Sequence, residues 1–261
     1  MINKVVHTAD IHLRLFKRHE EYTEQFEKFY KECEELKPDR IVVVGDLVHS
    51  KNQMTPELIY MVTTFLNKCS KIAKTIITLG NHDFLANNLD RMDALTPIIS
   101  TMDNDNIVFL KHTGCYLDEN VVWCVYGHME GSQRPEIEKA REEYGDKTYI
   151  GLYHDPLVGL KTAVGFEFED GKDISIFEGC DLVMCGDIHK YQVMNHRKTP
   201  IVMPSSMIQQ DFGEDPYNHG YVLWGIETKE HKLIKLPSDY GFYTFKIKSI
   251  EDIETESERL C

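Results

Sequence analysis

The sequence predicts an α/β chain with two packed sheets flanked by helices. Three observations carry this. Apolar strand-like runs alternate with helical patterns through residue 80, which marks βαβ units and a parallel sheet. After Ile107 short strands separated by turn residues dominate. Five short polar motifs each follow an apolar run, which places metal-ligating side chains at the carboxyl ends of strands, where open α/β sheets bind ligands.

The elements follow in chain order. Lys4–His7 reads as a buried first strand. His19–Leu36 is amphipathic, with Tyr22, Phe26, Phe29 and Cys33 on one face and glutamates and lysines on the other. Ile41–Val44 is a second strand, and Pro56–Ala73 a second helix with Thr55 as its N-cap. Thr75–Leu79 closes the first unit, and the polar stretch Asn87–Leu95 reads as a loop and short helix beside the site. Val121–Tyr126, Tyr149–Tyr153, Asp181–Cys185, Gln192–Asn195, Ile201–Met203, Gly220–Gly225 and Lys232–Leu236 read as further strands, interrupted by a helix over Pro135–Tyr144. Asp155–Gly179, with Phe166-Glu167-Phe168-Glu169-Asp170-Gly171, is either a rim loop over a substrate or a plain surface hairpin. Phe242–Ile247 alternates like a strand, and Ser249–Cys261 is an acidic, helix-compatible tail.

Composition narrows the function. At 261 residues the chain is one large domain, or one with a small appendage. No stretch approaches the ~18 apolar residues of a membrane span, and the N-terminus lacks a signal-peptide pattern. Seven cysteines, an odd number without a Cys-x-x-Cys pair, read as reduced thiols of a cytoplasmic protein and argue against a zinc–cysteine site. A net charge of −14 argues against a free-standing nucleic-acid binder, because phosphate contacts are electrostatic. It leaves a nuclease open, since two divalent ions would reverse the local field that a phosphate meets.

The motifs are Asp10-Ile11-His12, Gly45-Asp46, Gly80-Asn81-His82-Asp83, His154 and Gly186-Asp187-Ile188-His189. They offer Asp10, His12, Asp46, Asn81, His154, Asp187 and His189 as oxygen and nitrogen donors. One ion of this class takes four to six ligands, some of them water, so this set with one shared carboxylate suits two ions about 3.5–4 Å apart. Gly45 allows the tight turn that exposes Asp46. His82 remains over. Between Asn81 and Asp83, it can face a substrate while the carboxylate orients its ring, either to protonate a leaving oxygen or to stabilise phosphoryl charge. Arg14 and Lys190 flank donors and are either phosphate contacts or solvated charges. His7 and His128 lack a motif; His7 sits in the first strand, where burial is expected, and His128, after Val121–Tyr126, either lines the cleft or has a structural role, the second being expected. No nucleophile is expected at Ser205 or Ser206.

In the order Asp-x-His, Gly-Asp, Gly-Asn-His-Asp, His, Gly-x-x-His, the chain resembles the calcineurin-like metallophosphoesterases. The strings Thr8-Ala9-Asp10-Ile11-His12-Leu13, Gly45-Asp46-Leu47-Val48-His49 and Gly186-Asp187-Ile188-His189-Lys190 resemble more closely the SbcD-type DNA repair nucleases of bacteria and phages. The resemblance covers roughly residues 1–240. It implies a four-layer α/β/β/α sandwich and a two-metal DNA phosphodiesterase, exonuclease or endonuclease, that works with an SbcC-like ATPase in repair or recombination. Asp10, His12, Asp46 and His189 would hold one ion, and Asp46, Asn81, His154 and Asp187 the other. His82 and Asp83 would be catalytic. His49 would help to handle DNA near the cut, with a solvent-facing helix-start histidine as the alternative.

One departure stands out. Asp187 occupies a position where the family usually has histidine. A carboxylate suits manganese or magnesium, whereas imidazole suits zinc or iron, so the expectation is a manganese-preferring centre, with a weakened second site as the alternative. In relatives a capping and partner-binding region begins near residue 241. Residues 241–261 would therefore be the start of a missing or truncated cap, and the ATPase or a homodimer would supply DNA grip. Two other readings stay open. The same donors serve phosphomonoesterases and cyclic-nucleotide phosphodiesterases, and the fold can also act as an inactive interaction module. The place of action would be the cytoplasm, that of the host if the source is a phage.

Overall fold

In the computed structural model, which describes residues 1–51, 53–162, 164–244, 247 and 249, the alternation of the first half winds one sheet. Strand β1 (Lys4–Thr8) leads through helix α1 (His19–Leu36) to β2 (Arg40–Val44), and through α2 (Pro56–Ile72) to β3 (Lys74–Thr78). A short helix α3 (Thr96–Ile99) precedes β4 (Ile107–Phe109). The second sheet takes β5 (Gly114–Asp118), β6 (Val121–Tyr126), helix α4 (Ile137–Tyr144), β7 (Thr148–Tyr153), β8 (Leu182–Cys185), β9 (Gln192–His196) and β10 (Thr199–Met203). The chain then returns to the first sheet as β11 (Gly220–Gly225) and β12 (Glu230–Lys235). The sheet orders are β12-β11-β1-β2-β3-β4 and β5-β6-β7-β8-β10-β9. Both are mixed: β1 to β4 are parallel to one another, as are β6, β7, β8 and β10, while the β11–β12 and β5 and β9 edges run antiparallel.

Side-chain alternation along the strands makes three cores. Val5, Val42, Val44 and Ile76 of the first sheet meet Trp123, Val125, Leu152 and Met184 of the second in the middle layer. The opposite residues of the same strands, Val6, Ile41, Val43 and Ile77, pack under α1 and α2 against Tyr22, Phe26, Phe29 and Phe65. Val122, Cys124, Tyr149 and Val183 pack on the far side with Ile137 and Ala140 of α4. The result is the α/β/β/α sandwich. Among the described residues, no helix is long and apolar enough to cross a membrane.

Boundaries mostly follow local chemistry. Thr55 caps α2 by accepting from the Leu58 N–H at 3.3 Å, and Pro56 fills the first turn, where no N–H is needed. α4 starts at Ile137, two residues beyond the expected Pro135. β4 and β5 are strands that the sequence pattern does not reveal. Both are edge strands with largely half-buried side chains, so their alternation is weak. The last strand is Glu230–Lys235, shifted towards the N-terminus from the expected Lys232–Leu236. Residues 242–244 are not in a strand. The rest of the expected Phe242–Ile247 strand, apart from Ile247, and the Ser249–Cys261 tail beyond Ser249 lie outside the described residues.

A buried histidine crosses the middle layer. His7 of β1 points to the inter-sheet side, fully buried. Its Nε2–H donates to the Cys185 carbonyl at the end of β8 (2.9 Å), and its Nδ1 accepts from the Trp224 indole N–H of β11 (3.4 Å). Burial drives its pKa down to about 3, against a partial rise from the carbonyl bond. Between pH 6.5 and about 3 the unfolded chain therefore binds a proton here that the folded one refuses, and stability falls as pH falls through that window. His7→Phe should lower unfolding free energy at pH 7 by about 1–3 kcal/mol, because it leaves a buried carbonyl and indole N–H unpaired. It should also flatten the acid-side slope, as read by urea unfolding from pH 7 to 4. An unchanged slope would mean that His7 is not held neutral.

Candidate metal centre

Five loops build the site, each leaving the carboxyl end of a parallel strand. β1 delivers Asp10 and His12, β2 delivers Asp46, β3 delivers Asn81, His82 and Asp83, β7 delivers His154, and β8 delivers Asp187 and His189. The chain turns sharply there. Asp10 (φ 53°), His12 (φ 50°), Asp46 (φ 54°) and Asp187 (φ 81°) all take left-handed backbone conformations. Asp and His tolerate this region better than most residues, yet each such turn costs on the order of 1–3 kcal/mol. Backbone bonds hold the first two loops side by side, with Asp10 N–H donating to Gly45 O (3.2 Å) and His12 N–H to Asp46 O (2.9 Å).

The motif glycines are required by space around His154. A Cβ on Gly45 would lie 2.6 Å from His154 Cγ, and one on Gly80 would lie 2.7 Å from His154 Nε2. A Cβ on Gly186 would strike His154 Nδ1 and Val44 O. Gly45 also takes a left-handed φ of 78°. Three glycines from three loops thus let one buried imidazole sit against Asp46.

Asp46 is the centre of the cluster. Its Oδ1 accepts from the His82 backbone N–H at 2.7 Å. Its Oδ2 lies 3.4 Å from His12 Nε2 and 3.2 Å from His154 Nε2. Donor atoms of Asp10, Asp46 and His154 lie within 4.8 Å of one another, as do those of Asp10, His12 and His189. His12 Nε2 and His189 Nε2 face each other at 2.9 Å. His12, His49 and His82 form a third such group among the described residues, and Asp187 belongs to none of the three. It joins through Asn81, whose Nδ2 donates to Asp187 Oδ1 at 2.7 Å and leaves the Asn81 oxygen available.

The protonation of these groups tests whether they fit cations. His154 Nδ1–H donates to Val44 O at 2.7 Å, while its buried Nε2, turned to Asp10 and Asp46, has no hydrogen-bond partner among the described residues. Burial opposes charging His154, but Asp46, Asp10 and Asp187 raise its pKa well above the ordinary value. His189 is likewise opposed by burial and raised to about 9 by Glu214, Asp10 and Asp46. Burial, with the neighbouring carboxylates, pushes Asp10 up to about 7 and raises Asp187. Burial also opposes ionising Asp46, yet His154, His12 and the His82 N–H hold it below the usual carboxylate range. Burial and the neighbouring imidazoles lower His12. Buried carboxylates here draw positive charge wherever it is available, and converging oxygens and imidazole nitrogens are the donor set of divalent ions such as manganese and zinc.

The candidate catalytic residues stand alongside. His82 Nδ1–H donates to His49 O (2.9 Å), its ring is stacked on His49 (5.0 Å) and lies edge-on to His12 (4.7 Å). His49 is not a solvated histidine. Its Nε2 accepts from Arg14 Nη1 at 3.1 Å, and burial and that guanidinium lower its pKa to about 4. Asp83 does not orient the His82 ring, contrary to the expectation from their adjacency. Its carboxylate accepts from the N–H groups of Asp46 (2.9 Å), Val48 (3.1 Å) and Gly80 (2.9 Å), stapling the β2 and β3 loops together. Burial and Asp46 push its pKa up to about 8 against those bonds.

Two further residues reach the site, Glu214 without a sequence signal and His128 from its place after β6. Glu214 lies in the loop between β10 and β11. Its Oε1 accepts from His189 Nδ1–H (2.7 Å) and its Oε2 from Gln210 N–H (2.7 Å), so a buried carboxylate fixes the ring with Nε2 inward. His128, for which a structural role was expected, lies 6.1 Å from the His154 ring and 5.2 Å from Phe84, and burial lowers its pKa to about 4. Glu214→Gln should weaken Mn²⁺ binding by roughly 10- to 100-fold, the usual effect of removing the partner of a ligating histidine. Titration calorimetry reads this directly. An unchanged affinity would mean that His189 is not a donor.

The family model of calcineurin-like phosphoesterases matches residues 3–191. The uncharacterized R555 protein of Acanthamoeba polyphaga mimivirus is 37% identical over 265 residues, which cover 98% of this chain but only 20% of that protein. The chain thus spans about a fifth of that relative's length. The 244L protein of Invertebrate iridescent virus 6, provisionally named a phosphoesterase, is 24% identical over 234 residues, covering 88% of this chain and 77% of that protein. A solved archaeal phosphodiesterase is 13% identical with a TM-score of 0.43, over 88% of this chain and 97% of its own. All the donors and catalytic candidates read from the motifs fall inside the span that the family model matches, and the chain belongs to the calcineurin-like phosphoesterase family.

Proposed function

We propose that the chain is a two-metal, manganese-preferring DNA phosphodiesterase, the nuclease component of an SbcC–SbcD-like repair or recombination complex. The observation that carries the phosphodiesterase part is the position of Asp46 Oδ2, within 3.4 Å of imidazole nitrogens from both donor groups. Asp46 would serve there as the carboxylate shared by two ions, with Asp10, common to both donor groups, beside it. The DNA part is supported by the three longer strings around Asp10, Asp46 and Asp187.

Divalent ions held there would neutralise the phosphate and lower the pKa of an attacking water. The protein's own groups do the rest. Asp83 and the left-handed turns fix Asp46 and Asp10 in place before any substrate arrives. Glu214 sets the His189 ring. His82 is anchored through Nδ1–H on a carbonyl, and as the imidazolium it would hand its Nε2 proton to the leaving oxygen, returning to the neutral ring. Arg14 brings a positive charge against His49, beside the same face. Asp187 in place of imidazole adds a hard oxygen, which suits manganese or magnesium. With a net charge of −14, duplex affinity would come from a partner ATPase or a second copy.

Activity with Mn²⁺ on linear duplex DNA, an aryl phosphomonoester and a cyclic nucleotide tests the reading. DNA cleavage is expected to dominate, and cleavage confined to either small ester would overturn it. His82→Asn should keep Mn²⁺ affinity and lose about 10²–10⁴-fold in turnover. A loss of metal in that variant would make His82 a ligand instead. Asp187→His should keep activity and shift preference from Mn²⁺ towards Zn²⁺, read from rates across a metal series. An unchanged series would mean that Asp187 does not touch the metal.

A further inference from the structure

We infer that the apolar cleft beside Asp187 and His189 is a subsite for an unpaired nucleobase, that of the nucleotide next to the cleaved phosphate. The inference rests on the phosphodiesterase reading above and adds the form of nucleic acid that fits. The cleft has a volume of about 480 Å³, within the ~300–1,000 Å³ of small-molecule sites. It opens directly on the centre, because Asp187, Ile188 and His189 form one wall.

The remaining walls come from two loops and set apolar residues beside Thr162, Asp211 and Glu214. Pro156, Val164 and Phe168 belong to the irregular hairpin between β7 and β8, which is therefore a rim of the site and not a remote surface turn. Gly213 belongs to the loop that also carries Glu214. The Phe168 ring is set edge-on to Phe166 at 5.5 Å, and its backbone N–H donates to Leu160 O at 2.9 Å. The two loops nearly touch. A Cβ at Gly213 would lie 2.9 Å from Val164 Cγ1, so glycine lets the cleft close at that end without filling it.

The charges in this cleft select the occupant. Its charged wall residues are acidic apart from His189: Asp187, Asp211 and Glu214. A second phosphate is repelled there, while an uncharged planar group is not. Thr162 Oγ1 accepts from Phe166 N–H, which leaves its hydroxyl proton to donate to a ring oxygen or nitrogen. Asp211 can accept from a ring N–H, such as N3–H of thymine, or from an exocyclic amine. An aromatic wall plus one donor and one acceptor is the chemistry of a nucleobase face and edge. A base stacked and paired within a duplex cannot enter, so the fitting substrate is a single strand or a frayed end.

The test compares thymidine 5′-monophosphate with methyl phosphate, which carry the same phosphoester with and without a nucleoside. Calorimetry with the full chain in Mn²⁺ should show the nucleotide bound tighter by roughly 5- to 150-fold, the range of one base stacked on an aromatic side chain. Phe168→Ala should remove that difference, Thr162→Ala should reduce it, and both should leave methyl phosphate affinity unchanged. Equal affinities in the wild type, or a difference that survives both variants, would overturn the subsite. Failure of the broader reading looks different. Tighter nucleotide binding without hydrolysis of any diester would keep the subsite and sink the phosphodiesterase. Equal hydrolysis of methyl and thymidine p-nitrophenyl phosphates would do the reverse.

Discussion

The contact between Asp46 and His154, buried beneath Gly45, Gly80 and Gly186, constrains the rest of the molecule. The Asp46 carboxylate and this imidazole can meet only if three loops from two sheets approach to backbone distance, which a single added Cβ at any of the three glycines would prevent. The carboxylate then needs N–H groups, and it receives one from His82. It also draws positive charge, and with its neighbouring carboxylates it raises the pKa of His154 and His189 against the cost of burial. The site is therefore a concentration of unfavourable terms: desolvated carboxylates, left-handed turns and facing imidazole nitrogens. Such features persist where the surrounding structure over-determines them.

The four-layer fold supplies that over-determination. Alternate residues of β1, β2 and β3 belong to different cores, so each strand is gripped from both faces, and its carboxyl end has little freedom. β7 and β8 are held likewise between the middle core and α4. His7 adds direction, because it ties β1 and β11 to the carbonyl that precedes Gly186. Asp83 then joins the β2 and β3 loops, and Glu214 brings in a segment from the far end of the second sheet. Rigidity at the strand ends is what lets donors from so many loops share one small volume.

Much of this is legible in the sequence because it is local. The bounds of α1, β6 and β11 follow directly from periodicity, and Thr55 is recognisable as a cap from its place before Pro56. The motif residues converge as strand-end placement implies. What is not legible depends on distance in the chain. Glu214 reaches His189 through a loop with no motif of its own, and its role is visible only once β10 and β11 are placed. Asp83 misleads for the same reason. Adjacency points it at His82, but the turn after Gly80 sends its carboxylate to the N–H groups of Asp46 and Val48, more than thirty residues away. β4 and β5 pack too little apolar surface to show a pattern. The hairpin between β7 and β8 is the mixed case. Its aromatics are plain in the sequence, while its place at the rim is fixed only by the approach of Val164 to Gly213.

A two-ion centre of this kind requires Asp46 as a carboxylate shared between two cations. Anomalous diffraction at the manganese edge, from crystals equilibrated with saturating Mn²⁺, tests this most directly. Two peaks about 3.5–4 Å apart, with the Asp46 carboxylate between them, His12 and His189 at one and His154 and Asn81 at the other, are the predicted result. A single peak at saturation, or two peaks of which only one touches Asp46, would contradict it.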